Sequence, residues 1–115
     1  MPERVRLPSE PDYALNVYED KQGRTVLAAR GELDALTTPH FGAAVGEAVR
    51  TGESDLVIDL RRATFIDSTG LHVLLNAQRR LTRSGRRLSV VCDGSPVRRA
   101  LELARLTETL GLQRS

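Results

Sequence analysis

The chain has one cysteine, one methionine, no tryptophan and an aromatic content of 3% in 115 residues. Each scarcity excludes something. A lone Cys92 cannot close an internal disulfide, and its place at the end of the apolar run Leu88-Ser-Val-Val-Cys92 reads as a buried strand residue, not a reactive thiol. Two Tyr and two Phe cannot supply a ladder of rings for stacking bases. Charge of one sign is not in excess either, with 17 basic against 15 acidic residues and a net charge of +2, so no electrostatic footprint for nucleic acid is visible. Lysine is nearly absent, with Lys21 alone among the basic residues; this is a compositional preference for arginine. No apolar run is long enough to span a bilayer, and the start Met1-Pro-Glu-Arg4 has no secretory apolar segment, so a soluble cytoplasmic protein is expected. His40, His72 and one cysteine make no metal constellation, and no Walker or dinucleotide glycine pattern occurs. No cofactor is therefore expected.

What is present is an alternation of strands and helices in a chain of single-domain length. Residues 1–12 carry Pro2, Pro8 and Pro11 among charges and read as a flexible arm before a domain spanning 13–115. Ala14–Tyr18 and Thr25–Arg30 are predicted strands joined by the hairpin turn Glu19-Asp-Lys-Gln-Gly-Arg24. Gly31-Glu-Leu-Asp34 leaves the second strand as a loop. Thr37-Thr38-Pro39 opens a helix, with a hydroxyl cap and proline at the first helical position, and Phe41, Ala44, Val45, Ala48 and Val49 form its apolar face up to Gly52. Leu56–Leu60 is a buried strand, and Leu71, Leu74, Leu75 and Leu81 continue with helical spacing to about Arg83, where Ser84-Gly85 stops the helix. Arg87–Cys92 is the next strand. Ser95-Pro96 caps a third helix with Val97, Ala100, Leu101 and Ala104 inward, and Thr107–Leu110 reads as a short last edge strand. A hairpin followed by strand–helix units predicts an α/β fold with a mixed sheet of four to five strands and helices mainly on one face.

Between the buried strand and the second helix lies Asp67-Ser68-Thr69-Gly70. The hydroxyls of Ser68 and Thr69 are both candidate caps, able to accept a bond from an otherwise unpaired backbone N–H. A serine there stands at the positive end of a helix dipole, which suits a phosphate.

Five segments occur in order: Gly31-Glu-Leu-Asp34, Thr37-Thr38, Phe65-Ile-Asp-Ser-Thr-Gly-Leu71, Gly85-Arg-Arg-Leu-Ser-Val-Val91 and Ser95-Pro-Val-Arg-Arg-Ala-Leu101. Together they resemble a STAS domain, and within that group the bacterial anti-sigma factor antagonists, from about Ala14 to Leu112. The resemblance implies that Ser68 is phosphorylated by a kinase-type anti-sigma factor. It also implies that Asp34, Asp67, Ser68, Thr69 and His72 form the surface this partner covers, and that a PP2C-type phosphatase resets the switch. Members of that family more often have Ser where this chain has Thr69. They also usually have a further carboxy-terminal helix, and this chain ends where it would begin. That leaves an exposed apolar patch, a smaller core, or a cover such as a homodimer partner.

From the residues alone, Asp34 is also a turn carboxylate bonding its own backbone. Asp67, Ser68 and His72 do not make a catalytic triad, because Asp67 is next to the serine in sequence and no G-x-S-x-G elbow is present. No enzyme activity is expected. The alternative is a STAS module docked on a membrane transport complex without phosphorylation. The dense arginines Arg61, Arg62, Arg79, Arg80, Arg83, Arg86 and Arg87 read as solvated faces and loop ends.

Overall fold

Eleven consecutive residues, Leu56–Ile66, form the central strand on which everything else is hung. The structure is a computed structural model and describes residues 13–106, 110 and 112–113. In chain order it holds β1 (Ala14–Glu19), β2 (Thr25–Leu33), α1 (Thr38–Thr51), β3 (Leu56–Ile66), α2 (Ser68–Arg83), β4 (Leu88–Val91), α3 (Pro96–Leu103) and β5 (Leu112–Gln113). The five strands lie in sequence order across one sheet. β1 and β2 are antiparallel, and the remaining pairs are parallel, which is the mixed sheet expected from the sequence.

Each parallel step moves to the next strand in the same direction. Right-handed crossovers then put all three helices on the same side of the sheet. The core confirms this placement. Leu27, Ala29 and Leu33 of β2 and Leu56, Ile58 and Leu60 of β3 meet Phe41, Val45 and Val49 of α1, Leu74, Ala77 and Leu81 of α2, and Val97 and Leu101 of α3 in one cluster. Cys92 is fully buried in that cluster as anticipated, though it lies one residue past the end of β4 and not within the strand, and desolvation pushes its thiol pKa up.

Both long strands outrun their sequence-predicted ends. β2 does not stop at Arg30; Gly31, Glu32 and Leu33 stay paired with Ala63, Phe65 and Ile66. The ladder shifts register twice, between Ala28 and Arg30 and between Gly31 and Glu32. Gly31 takes φ 91°, a conformation other residues resist, so the chain absorbs the irregularity instead of leaving the sheet. The last strand also falls elsewhere than expected. Residues 107–109 lie outside the described residues, Leu110 is a buried turn residue, and the strand is Leu112–Gln113, beside Val90 and Val91. The 1–12 arm also lies outside the described residues. Among the described residues no helix follows α3, and none is long and apolar enough to cross a membrane.

Arg86 departs from its reading as a solvated loop end. Its guanidinium donates to Ser54 O at 2.8 Å, Val49 O at 2.8 Å and Ala48 O at 3.3 Å, so it closes the carboxy end of α1 against the start of β4. A cation there also meets the negative end of the helix dipole. Gly52 makes room for it, because a Cβ would sit 2.8 Å from Ala48 O and 3.1 Å from Nη2 of Arg86. Removing a charged donor from carbonyls inside the fold costs about 1.5–3 kcal/mol. Urea denaturation of Arg86→Ala is expected to show a loss in that range, and Arg87→Ala, whose exposed side chain lacks this role, a much smaller one.

Candidate functional site

The strand–helix corner is built by Asp67. Its backbone is extended (φ −109°, ψ −170°), and its carboxylate Oδ1 accepts from Thr69 N at 2.9 Å and Gly70 N at 3.3 Å. The cap of α2 is thus Asp67, not Ser68 or Thr69. Aspartate caps as well as serine does, and its full negative charge gains more from the helix dipole than a hydroxyl can. Asp67 N in turn donates to Leu33 O at 3.1 Å, which fixes the corner to the end of β2.

The two hydroxyls next to this cap differ in their surroundings. Thr69 Oγ1 donates to Asp67 Oδ1 and accepts from Thr38 Oγ1 at 3.1 Å, so it is tied on both sides and links α1 to α2. Ser68 is exposed at the first position of α2, and its hydroxyl makes no hydrogen bond among the described residues. The corner therefore presents one tethered hydroxyl and one free one, at a helix end that favours an added anion.

Gly70 lets the helix start so close to the sheet. A Cβ there would lie 2.6 Å from Cγ1 of Ile66 and 3.3 Å from Cβ of Leu33. Neither neighbour can yield easily, since both are buried core side chains of paired strand ends. His72 is exposed one helical turn beyond Ser68 and shares its face of α2. The Asp67 carboxylate is spent on the cap and on Thr69, so no hydrogen bond runs from it to His72, and a relay through Asp67, Ser68 and His72 is not assembled.

The Gly31–Asp34 segment reaches the same corner through Leu33 and through the contact of Thr38 with Thr69. Asp34 is half-buried, and its Oδ1 accepts from Leu36 N at 3.0 Å and Thr37 N at 3.2 Å, the local turn role read from sequence. The cap expected from Thr37 and Thr38 does not form. Thr37 precedes α1 with helical dihedrals, and its hydroxyl donates to Glu32 O at 2.6 Å and accepts from Asp34 N at 3.0 Å. It clasps the loop and leaves the helix end to Asp34 O, which accepts from Thr37 N and Thr38 N. Ser95 does cap α3 as expected, accepting from Val97 N at 3.1 Å while donating to Ala63 O at 2.6 Å.

Two residues that sequence reading passed over lie at this end of the sheet. Leu36 is 77% exposed and Phe65 47% exposed, both large and apolar. Phe65 carried a signal: its neighbour Ile66 packs inward, so alternation sends a ring to the opposite side. Exposed apolar side chains beside a polar corner are the usual makings of a protein-binding surface.

Loss of the Asp67 cap removes about 0.5–2 kcal/mol. Asp67→Ala is expected to lower stability by that amount, and Gly70→Ala by about 1–3 kcal/mol through overpacking. Chemical denaturation measures both, and a neutral Gly70→Ala would show that the corner has slack.

Comparison with known proteins agrees with this architecture. Residues 17–113 match the family model described as Mlab, STAS domain. The anti-sigma-F factor antagonist RsfB of Mycobacterium tuberculosis is 35% identical over 104 residues, covering 90% of this chain and 84% of that protein. The anti-sigma F factor antagonist of Paenibacillus polymyxa is 28% identical over 89 residues, 76% of each chain. The crystal structure of an anti-sigma factor antagonist from Mycobacterium paratuberculosis superposes with a TM-score of 0.79 at 31% identity, covering 94% of this chain and 89% of that one. With the Asp67–Gly70 corner standing on that shared sheet, the chain belongs to the STAS domain family, in its anti-sigma factor antagonist branch.

Proposed function

We propose that this protein is a cytoplasmic partner switch. Unphosphorylated, it binds a serine-kinase anti-sigma factor and so releases the sigma factor for transcription. Phosphorylated on Ser68 by that kinase, it lets go, and a PP2C-type phosphatase restores it. The observation that carries this reading is the exposed, unbonded Ser68 hydroxyl beside a tethered Thr69.

The energetics favour a switch that needs no refolding. A phosphoserine brings about −1.5 to −2 charges. It would stand one residue from the Asp67 carboxylate, so two like charges would have to be covered together. An unpaired charge buried at an interface costs about 2–5 kcal/mol, or roughly 30-fold to several thousand-fold in affinity. The helix dipole returns only about 0.3–1 kcal/mol to an exposed anion, so release wins. In this reading Asp34, Asp67, Thr69 and His72 are the polar part of the contact centred on Ser68, and the exposed Leu36 and Phe65 supply apolar area to bury.

Phosphorylation assays with kinase-type anti-sigma factors, read by mass spectrometry, test the assignment together with binding measurements. Ser68→Ala is expected to accept no phosphate yet bind normally. Ser68→Asp or Ser68→Glu should bind at least tenfold more weakly. Thr69→Ala should still be phosphorylated on Ser68. Phosphate incorporated into Ser68→Ala at the wild-type level would sink the proposal. Undiminished partner binding by Ser68→Glu would favour instead a STAS module docked on a transport complex without a phosphate switch.

A further inference from the structure

The face of the sheet turned away from the helices holds a hollow of about 510 Å³, lined by Asn16, Tyr18, Arg30, Asp59, Arg61 and Arg62 among others. Its floor follows from strand alternation. Ile58 and Leu60 point into the core, so Asp59 and Arg61 point to the other side. Between the pairs Ala28–Asp59 and Arg30–Arg62, β3 advances three residues while β2 advances two. That bulge spends one extra residue on the open side: Leu60 and Ala63 are buried, and Arg61 and Arg62 between them are both exposed. Three guanidiniums therefore share one hollow with a single carboxylate.

Their pairing is uneven. Arg61 is held in a two-pronged bond to Asp59, Nε to Oδ1 at 3.0 Å and Nη2 to Oδ2 at 2.8 Å. Burial pushes the Asp59 carboxyl up, but the bonds from Arg61 and the charges of Arg61 and Arg62 outweigh it and hold the pKa below the usual carboxylate value. Arg30 and Arg62 sit directly opposite each other on adjacent strands, and among the described residues neither side chain enters a hydrogen bond or ion pair, Arg62 acting on Asp59 only through its charge. Two like charges on neighbouring strands repel each other, most strongly at low salt.

We propose that this hollow binds a small organic phosphate with two negative charges, its phosphoryl oxygens shared between the guanidiniums of Arg30 and Arg62. Planar guanidinium forks match phosphate oxygens two at a time. The Asp59–Arg61 pair keeps the third guanidinium fixed at the floor. The half-exposed Tyr18 ring and the Asn16 amide at the rim offer an apolar surface and a hydrogen-bonding group to the organic part. The volume lies in the range of small-molecule sites, about 300–1,000 Å³. The site is on the other side of the sheet from α2 and does not depend on the Ser68 reading.

The test is an NMR titration of the full isotope-labelled chain with phenyl phosphate at low salt, with phenol as the uncharged control. Saturable shifts centred on β1, β2 and β3 are expected with phenyl phosphate and none with phenol. Arg30→Ala and Arg62→Ala should each weaken binding at least tenfold while keeping or raising the thermal midpoint, since each removes an opposed like charge. Arg83→Ala, on the exposed face of α2, makes the same change in net charge and should leave the affinity alone. Absence of saturation at millimolar phenyl phosphate would overturn the proposal. So would an equal loss in Arg83→Ala, which marks general charge attraction, or a fall of several degrees in both hollow variants, which marks arginines needed for folding.

Discussion

One carboxylate oxygen organises the functional end of this molecule. Asp67 Oδ1 accepts from the backbone of Thr69 and Gly70 and from the Thr69 hydroxyl. An unpaired N–H at a buried helix start is costly, and a neutral cap would satisfy fewer of these donors less strongly. By answering all three, Asp67 relieves its neighbour of any structural duty. Ser68 can then be covered, exposed or chemically altered without loosening the helix behind it. The exposed hydroxyl and the helix cap fall to adjacent residues and do not compete.

That arrangement needs the corner to be stiff, and the sheet supplies the stiffness. β2 and β3 stay paired to Leu33 and Ile66, so the corner sits directly on a hydrogen-bonded ladder, not on a free loop. Gly70 brings α2 down onto those last paired residues, and Thr38 reaches across from α1 to Thr69. The loop holding Asp34 is drawn in through Thr37, whose hydroxyl fastens both of its ends. β2 and α1 therefore converge on Asp67 and Thr69, the two residues that flank Ser68, through directional hydrogen bonds, and a partner would meet a surface whose shape is set before contact.

Much of this was legible in the residues, and the gaps have physical causes. Hydrophobic periodicity and turn residues located the three helices and the first four strands, because one-sided burial sets the spacing of apolar residues in each, and strand–helix alternation implied the mixed sheet. The ends of β2 and β3 were not legible. Gly31 looks like a strand terminator, and only the paired structure reveals that its positive φ carries the ladder onward. The Asp67 cap was hidden by a run of three competent cap residues, Asp67, Ser68 and Thr69, among which local preference hardly discriminates. Thr37 was misjudged for a related reason: its hydroxyl found better partners in the preceding loop. Arg86 and the Arg30–Arg62 opposition depend on contacts across more than 30 residues of chain, which spacing along the sequence cannot encode. The proposal of phosphate transfer to Ser68 rests on resemblance, to which the geometry adds that the Ser68 hydroxyl is exposed while that of Thr69 is tied on both sides.

The sealed position of Cys92 gives the protein a property unrelated to its partners. Its sulfur is buried and desolvation raises its pKa, so burial shields the thiol from peroxide and alkylating reagents while the surrounding core is closed. Its modification rate then reports how often the core around the end of β4 and α3 opens, read from a single native atom without any engineered label.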